Sequence, residues 1–153
     1  MDWRATALVR LFGITKIPLI AFLRPSVVSQ DDDTTVVVIP LTRRAKNHHG
    51  SMYMGALAVG GDLASGLQAM LAIRQSGRKV DFVFRDATMR FLRRPDGDVH
   101  FTCTQGKQVR AMIADAIRDG QRHNLPLEVT ATVPSDGEAA VATMTFTLSV
   151  KAR

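Results

Sequence analysis

The segment at residues 47–66, which reads NHHGSMYMGALAVGGDLASG, restricts the possible folds of this chain more than any other stretch. It is apolar enough to be buried and reads as the start of a helix, yet it carries five glycines. A glycine inside a helix costs roughly 1 kcal/mol relative to alanine. We therefore predict a buried helix over residues 52–75, ended by Gly77, whose glycines allow other parts of the chain to come close to it.

Most of the remaining apolar segments alternate with a period of two residues, which is typical of strands that bury one face. This pattern predicts strands at 34–40, 79–94, 99–104, 125–133 and 139–151, whereas apolar residues at helical spacing predict a second helix at 108–119. Within 79–94 the apolar positions change phase after Phe84, which predicts a bulge near Arg85–Asp86. In the last strand we expect an outward face of Thr143, Thr145, Thr147 and Ser149. The sequence thus predicts an α+β fold, a curved antiparallel sheet covered by one long helix.

The chain is expected to form one domain over residues 1–153, with residues 1–33 as a helical and irregular N-terminal segment. Hydrophobic residues make up 46% of the sequence and charged residues 22%, which is ordinary for a globular protein. Helical spacing predicts a helix over 2–12 that ends at Gly13 and buries Trp3, Ala7, Leu8 and Leu11.

Charge and cysteine content narrow the class of function. The net charge of +6 suits a partner that carries phosphate, either a nucleic acid or a phosphorylated cofactor. Nucleic acid is the weaker alternative, because no basic stripe with interleaved aromatic residues is present. The single cysteine, Cys103, excludes an intramolecular disulfide framework, and the absence of a recognisable signal peptide favours a cytoplasmic location. We see no uninterrupted apolar run of about 18 residues and expect no membrane span.

Asp62 stands out within the glycine-rich helix because its neighbours at helical spacing are small or apolar. A solvated surface carboxylate is the simpler interpretation, but a partly buried one would have a raised pKa, as a general base or nucleophile requires. Upstream, we expect Ser51 to cap the helix and to leave backbone N–H groups of residues 52–55 free to bind an oxyanion. Together with Asn47, these groups suit attack on a carbonyl.

The pattern N-x-x-G-x-x-Y-x-G-x-L-x-x-x-x-D-x-A-x-G over residues 47–66 resembles the hotdog-fold thioesterases, most closely the phenylacetate-pathway (PaaI-like) type. The segments FLRRPDGD and AAVATMTFTLSV resemble strands of the same family, and the likeness extends over roughly residues 34–151. The whole chain is similar to a little-characterised subgroup that is sometimes fused to acetyltransferases. Two departures are visible: Tyr53-Met54-Gly55 replaces the usual His-Gly-Gly, and the helix at 108–119 interrupts the sheet.

The resemblance implies a role for each matching residue. Asp62 corresponds to the catalytic general base or nucleophile, Asn47 to the residue that positions water or substrate, and Gly55 with Met54 to the backbone oxyanion hole. Tyr53 takes the place of the family's histidine near the thioester. We expect substrate contacts from Tyr53, His49, Ser65, Arg93 and Arg94. The two arginines are equally compatible with an exposed turn and with a grip on the phosphates of coenzyme A.

The expected function is therefore hydrolysis of an acyl-CoA thioester with an aromatic or medium-chain acyl group. No metal and no redox cofactor are implied, and coenzyme A enters as part of the substrate. The resemblance also implies a homodimer or tetramer with active sites at the subunit interface. The alternative is a non-catalytic module on the same fold that binds or senses acyl-CoA.

Overall fold

The glycine-rich segment forms the central helix of the protein. In the computed structural model, which describes residues 1–137 and 139–153, it is a helix of 23 residues. The α-helices of the described residues are α1 (Trp3–Thr15), α2 (Pro18–Leu23), α3 (Met54–Ser76) and α4 (Gly106–Asp119), and a short 3-10 helix covers Pro134–Asp136. The strands are β1 (Ser26–Gln30), β2 (Thr35–Ile39), β3 (Val80–Phe91), β4 (Val99–Cys103), β5 (Arg122–Thr132) and β6 (Ala140–Ala152). As predicted, α3 ends at Gly77, which adopts the left-handed conformation with φ 63°.

The strands form one six-stranded antiparallel sheet in the order β1-β2-β4-β5-β6-β3. All five strand pairs are antiparallel. The sheet curves around α3, so the fold is the hotdog fold that the sequence predicts. β3 lies at the end of the strand order and is therefore an edge strand. α4 follows β4 in the chain and packs against α3, β5 and β6, and its insertion leaves the β4–β5 pairing intact.

The predicted phase change is a bulge. Phe84 pairs with Leu148 and Asp86 pairs with Thr147, so Arg85 has no partner of its own on β6. One extra residue on β3 bends the strand and moves the following side chains to the other face. The outward face of β6 differs from expectation at one position. Ser149 is buried, and its hydroxyl accepts a hydrogen bond from Arg122 at 3.0 Å.

Two glycines of α3 explain the close contact between helix and sheet. A Cβ atom on Gly60 would lie 2.2 Å from the ring of Phe101, and one on Gly61 would lie 2.6 Å from the sulfur of Met144. Real Cβ atoms do not approach other atoms so closely, and Phe101 is fully buried with no free space to move into. The glycines therefore let the side chains of β4 and β6 rest directly against the backbone of α3.

The N-terminal segment is more regular than expected. Residues 14–33 contain α2, with Pro18 at its first turn, and β1, neither of which was predicted. Gly13 does not end α1. It lies inside the helix at the crossing with α2, where a Cβ atom would come within 2.8 Å of the backbone nitrogen of Ala21.

The predicted buried face of α1 is also wrong. The buried residues are Ala5, Thr6, Val9 and Gly13. Trp3 and Leu11 point to solvent, with 71% and 60% of their surface exposed. The reason is that α1 packs against α2 and β1, neither of which the sequence pattern had predicted.

α3 is the one helix among the described residues that is long and apolar enough to cross a bilayer by length and composition alone. Its most apolar stretch is 61% buried inside the protein. Its apolar character is thus accounted for by its place in the core.

We predict that Gly60→Ala lowers the free energy of unfolding by about 1–3 kcal/mol, because the added methyl group overlaps the Phe101 ring. Gly66→Ala is the matched control on the same helix. A Cβ atom there makes only an ordinary 3.5 Å contact with Phe84, so the substitution should be neutral or stabilising by up to about 1 kcal/mol. Denaturant unfolding at equal protein concentration measures both values. Equal effects of the two substitutions would contradict the close contact at Gly60.

Candidate active site

The start of α3 is built differently from the expected serine cap. Tyr53 occupies the N-cap position with an extended backbone and makes no side-chain capping bond. The Met52 N–H donates to the Pro95 carbonyl at 3.0 Å, and the Tyr53 N–H donates to the Ala45 carbonyl at 2.7 Å. Ser51 is therefore not the cap, and these two N–H groups are not free to bind an oxyanion.

The next two N–H groups remain available. Among the described residues, no acceptor is found for the backbone N–H of Met54 or of Gly55. They belong to the first turn of α3, where the helix dipole favours negative charge. The Tyr53 ring covers this turn, because a Cβ atom on Gly55 would lie 2.6 Å from the ring. The backbone pair that the resemblance assigned to the oxyanion hole is thus the free pair.

Asn47 shapes the loop that leads into α3. Its side-chain NH₂ donates to the Ser51 hydroxyl at 3.0 Å, and its side-chain oxygen accepts from the His49 N–H at 2.9 Å. Its backbone N–H donates to the Ser51 carbonyl at 2.8 Å. Gly50 completes this turn with φ +85°, a conformation that favours glycine. The amide of Asn47 is therefore largely engaged in holding the loop 47–51.

A cleft lies between this loop and the end of β3. The centre of a water-sized sphere can move through about 470 Å³ of this cleft. Asn47, Met54, Arg93 and Arg94 line it. Arg94 donates through Nε to Asp96 at 3.0 Å and through Nη2 to the backbone carbonyl of His49.

Both predicted arginines of this cleft already have partners. Arg93 donates to the Ala139 carbonyl at 2.7 Å, and Arg94 holds the loop residue His49 and the turn residue Asp96. His49 itself is exposed, and its ring lies 3.8 Å from that of His48. Arg93 and Arg94 thus share the cleft with Met54, with part of their hydrogen-bonding capacity committed to the protein, and His49 lies beside Arg94 through its backbone carbonyl.

Asp62 lies two turns further along α3 and is partly buried. Among the residues that the structure describes, its carboxylate has no hydrogen-bond donor and no basic partner. Burial without compensation disfavours the charged form and raises the pKa of Asp62 to about 6. A carboxyl group with this pKa is mostly ionised at neutral pH and can accept a proton readily, as a general base requires.

Asp62 separates two hollows along α3. On one side is an apolar pocket between α3, β3 and the two N-terminal helices. The centre of a water-sized sphere can move through about 90 Å³ of it. On the other side is an open hollow lined by Ala58, Val59, Phe84 and Ala87. Asp62 thus borders both spaces.

The structure separates the predicted catalytic residues into two groups. Asn47, Met54 and Gly55 lie at the start of α3, whereas Asp62 follows Gly55 by seven residues. Seven residues of helix rise about 10 Å and turn almost two full circles, so Gly55 and Asp62 share one side of α3 but lie far apart along it. A reacting carbonyl group must come within about 3 Å of both the base and the oxyanion donors.

Ser65, which we expected to contact the substrate, lies inside the protein. It is completely buried, and its hydroxyl donates to the Gly61 carbonyl at 2.8 Å. A serine at this helical position bonds back to the preceding turn and does not reach the surface.

Neither the single cysteine nor the possible metal-ligating side chains of the described residues form a functional site. Cys103 is buried in the core, and burial raises the pKa of its thiol. This makes Cys103 a small hydrophobe and a poor nucleophile. Within the described ranges, no group of three or more His, Cys, Asp or Glu side chains is placed to hold a metal ion.

The sequence did not predict the lining of the apolar pocket. Phe12, Ile20 and Phe82 converge there from three different elements. Each is an ordinary apolar residue of its own helix or strand, so no local signal could have indicated that they meet.

Comparison with known proteins agrees with this architecture. The family described as "Domain of unknown function (DUF4442)" matches residues 5–150. The chain belongs to the DUF4442 family. No match was found among curated protein sequences.

Solved structures resemble this DUF4442 protein over almost its whole length. A candidate thioesterase from Shewanella oneidensis has a TM-score of 0.80 at 19% identity and covers 100% of both chains. A protein of unknown function from Chlorobaculum tepidum has a TM-score of 0.83 at 15% identity, covering 99% of this chain and 96% of its own. A thioesterase from Haemophilus influenzae has a TM-score of 0.70 at 15% identity, covering 95% and 88%. At these identities the likeness shows the hotdog fold.

We predict that Asp62→Asn stabilises the DUF4442 protein at neutral pH. The pKa of Asp62 is about 6 in the folded protein and about 3.9 in an unfolded chain. Between these values the unfolded state has released its proton and the folded state still holds one. The stability of the wild type therefore falls as pH rises from about 4 to about 6, by up to about 3 kcal/mol, and stays at the lower level above pH 6.

Asp62→Asn has no carboxyl group to titrate, so its free energy of unfolding does not fall in this way as pH rises. Its stability relative to the wild type should be greatest at pH 7–8, and the difference should vanish near pH 4. Denaturant unfolding at several pH values measures the difference. Asp136→Asn, on an exposed turn, is the matched control and should show no such gain, because its carboxylate faces water in both states. A pH-independent effect of Asp62→Asn would contradict the burial of an uncompensated charge.

Proposed function

We propose that this DUF4442 protein is a thioester hydrolase that acts on acyl-CoA. The observation that carries the proposal is the combination, on one helix, of an uncompensated carboxylate and two free N–H groups. Asp62 has the raised pKa of a general base, and Met54 and Gly55 provide donors for an oxyanion. The candidate thioesterase from Shewanella oneidensis and the thioesterase from Haemophilus influenzae share this fold, which supports the same class of reaction. The cytoplasmic location predicted from the sequence is part of the proposal.

The proposed chemistry begins with the thioester carbonyl oxygen accepting hydrogen bonds from the Met54 and Gly55 N–H groups. Asp62 accepts a proton from water, and the water oxygen bonds to the carbonyl carbon. The C–S bond then breaks, Asp62 donates the proton it had accepted to the sulfur, and coenzyme A leaves as the thiol. If Asp62 instead attacks the carbonyl carbon directly, a carboxylate oxygen bonds to that carbon, the C–S bond breaks and the thiolate leaves. Water then hydrolyses the mixed anhydride to the free acid and restores the Asp62 carboxylate. Asn47 contributes by holding the loop ahead of the oxyanion donors and not by a free amide.

We further propose that each active site combines residues of two subunits, since one chain places Asp62 too far from its own Gly55. The midpoint between them falls at Ala58 and Val59, which line the open hollow. A two-fold axis through this hollow, perpendicular to α3, would run two α3 helices antiparallel. Asp62 of one subunit would then face the oxyanion donors of the other. The homodimer, or a tetramer built from two of them, is consistent with the closed symmetry of most oligomers.

The edge strand β3 supports this dimer. It is 12 residues long, and an uncovered edge of that length is prone to pair with another strand. Val83 and Phe91 on β3 and Leu92 directly after it are each more than half exposed. Pairing of two β3 strands across the axis would cover this edge and join the two sheets. The same contact would bring the two α3 helices together on the concave side.

Coenzyme A is proposed to occupy the cleft at the start of α3. Arg93 and Arg94 line that cleft, and His49 lies at its rim through the bond from Arg94. Their positive charge suits the phosphates, while Tyr53, which is 54% exposed, can cover the pantetheine arm in the place of the family's histidine. The aromatic or medium-chain nature of the acyl group remains part of this proposal.

We predict that the wild type releases thiol from an acyl-CoA panel and that Asp62→Asn lowers kcat by about 10²–10⁴-fold, because the amide cannot accept the proton. The pH profile of kcat/KM for the wild type should rise through a pKa near 6 and level above it, because the ionised carboxylate of the free protein is the active form.

Two results of this assay would change the assignment. No turnover by the wild type, with acyl-CoA binding retained, would identify the alternative, a non-catalytic binding module. Turnover by Asp62→Asn within about threefold of the wild type would remove Asp62 from the mechanism, since a lost general base costs far more.

A complementation experiment tests the shared site. Met54→Pro removes one oxyanion donor, and proline is tolerated here because position 54 opens α3 and Tyr53 has φ −69° and ψ 142°. Met54→Pro and Asp62→Asn should each be nearly inactive alone. When equal amounts are unfolded and refolded together, half of the dimers should be mixed, each with one intact site, so about a quarter of the wild-type activity should return.

Wild type, Met54→Pro and Asp62→Asn refolded separately are the controls for this experiment. If every site lies within one chain, no mixed dimer contains an intact site and the mixture stays inactive. That result would contradict the two-subunit site while leaving the roles of Met54 and Asp62 in place.

A further inference from the structure

We propose that the α1–α2 pair, together with α3 and β3, forms a binding site for an unbranched aliphatic acyl chain and sets the chain length that the protein accepts. This inference rests on the proposed thioester hydrolysis, because the chain is placed by its carbonyl carbon at Asp62. It assigns to the N-terminal helices a role in substrate selection.

The apolar pocket beside Asp62 is the basis of this proposal. Val9 and Phe12 of α1, Ile20 of α2 and Ile17 just before it form one wall, and Leu67 and Met70 of α3 form part of the other. Phe82 of β3 closes the side, and Asp62 is the one ionisable group in the lining. A pocket with this lining selects its ligand by burial of apolar surface.

The pocket has a direction. Its α3 residues follow one another at helical spacing from Asp62 to Met70, which are eight residues apart. Eight residues of helix rise about 12 Å. With C–C bonds of about 1.5 Å in a zigzag, an extended chain on the order of eight to ten carbons spans that distance. Asp62 lies at one end of the pocket, where the carbonyl carbon must be, and Met70 lies at the other.

The wall formed by α1 and α2 is fixed to the rest of the domain. The Asp2 N–H donates to the Val27 carbonyl at 2.9 Å, and the Val27 N–H donates to the Thr6 hydroxyl at 2.9 Å, so β1 holds the start of α1. At Gly13 the two helices cross in direct backbone contact. A wall held at both ends gives the pocket a defined depth, as a length limit requires.

Gly66 provides the means of testing this site. It lines the pocket between Asp62 and Met70, and a Cβ atom there would meet no atom closer than 3.5 Å, so the backbone has room for a side chain. Gly66→Leu should fill the pocket about one helical turn beyond Asp62. Met70→Ala should instead lengthen it at the far end.

The experiment measures kcat/KM for straight-chain acyl-CoA thioesters from butyryl to hexadecanoyl. In the wild type, KM should fall about fourfold for each added methylene, which corresponds to about 0.8 kcal/mol of burial, up to the pocket's limit. Gly66→Leu should lower the ratio of decanoyl to butyryl kcat/KM by at least tenfold. Met70→Ala should move the optimum to a longer chain. Ala114→Leu, on the exposed side of α4, is the control and should leave the profile unchanged.

The outcomes separate this inference from the proposed function. Turnover whose chain-length profile is the same in wild type, Gly66→Leu and Met70→Ala would overturn the acyl site and leave the hydrolase proposal standing. If no thioester is turned over, the pocket is tested directly by the binding of decanoate. This binding is measured by the displacement of a fluorescent fatty acid. Binding that Gly66→Leu weakens at least tenfold would support the acyl site without the hydrolase, and absence of binding would overturn it. Unfolding curves show whether each variant is folded.

Discussion

The contact between α3 and the concave face of the sheet is the constraint on which the rest of the structure depends. Side chains of β4 and β6 occupy the space that Cβ atoms of Gly60 and Gly61 would otherwise fill. Close packing of this kind leaves little freedom for the helix to shift, because interiors are as dense as organic crystals. The position of Asp62, the next residue in the helix, is therefore set by the packing of the core and not by any interaction of its own.

That position has a cost. Asp62 is partly buried without a basic residue or a hydrogen-bond donor among the described residues, and its raised pKa measures the unfavourable environment of its charge. Groups of this kind are concentrated at functional sites, where stability is lost in favour of reactivity. The first turn of the same helix carries the opposite feature, two N–H donors at Met54 and Gly55 without acceptors. One helix thus presents an uncompensated carboxylate and two N–H groups without acceptors about 10 Å apart, which is why the proposed active site calls on a second subunit.

The N-terminal helices, like α3 and the sheet, come into close contact at a glycine. Gly13 lets α1 and α2 cross in backbone contact, as Gly60 lets the sheet approach α3. The two helices close one side of the hollow next to Asp62 and leave apolar side chains such as Trp3 and Leu11 exposed on their outer face. They therefore complete the pocket, and α3 with Phe82 of β3 forms the rest of its surface.

Local patterns in the sequence were sufficient for α3, for the five strands from β2 onward and for the bulge after Phe84, because spacing along one segment decides which residues share a face. The motif around Asp62 indicated the candidate base for the same reason. Tertiary packing decided what local spacing cannot express. Ser51 does not cap α3, because the N–H groups of Met52 and Tyr53 donate to carbonyls that are distant in sequence. The buried face of α1 depends on α2 and β1, and the apolar pocket exists only where three elements meet, so their residues carry no shared signal along the chain.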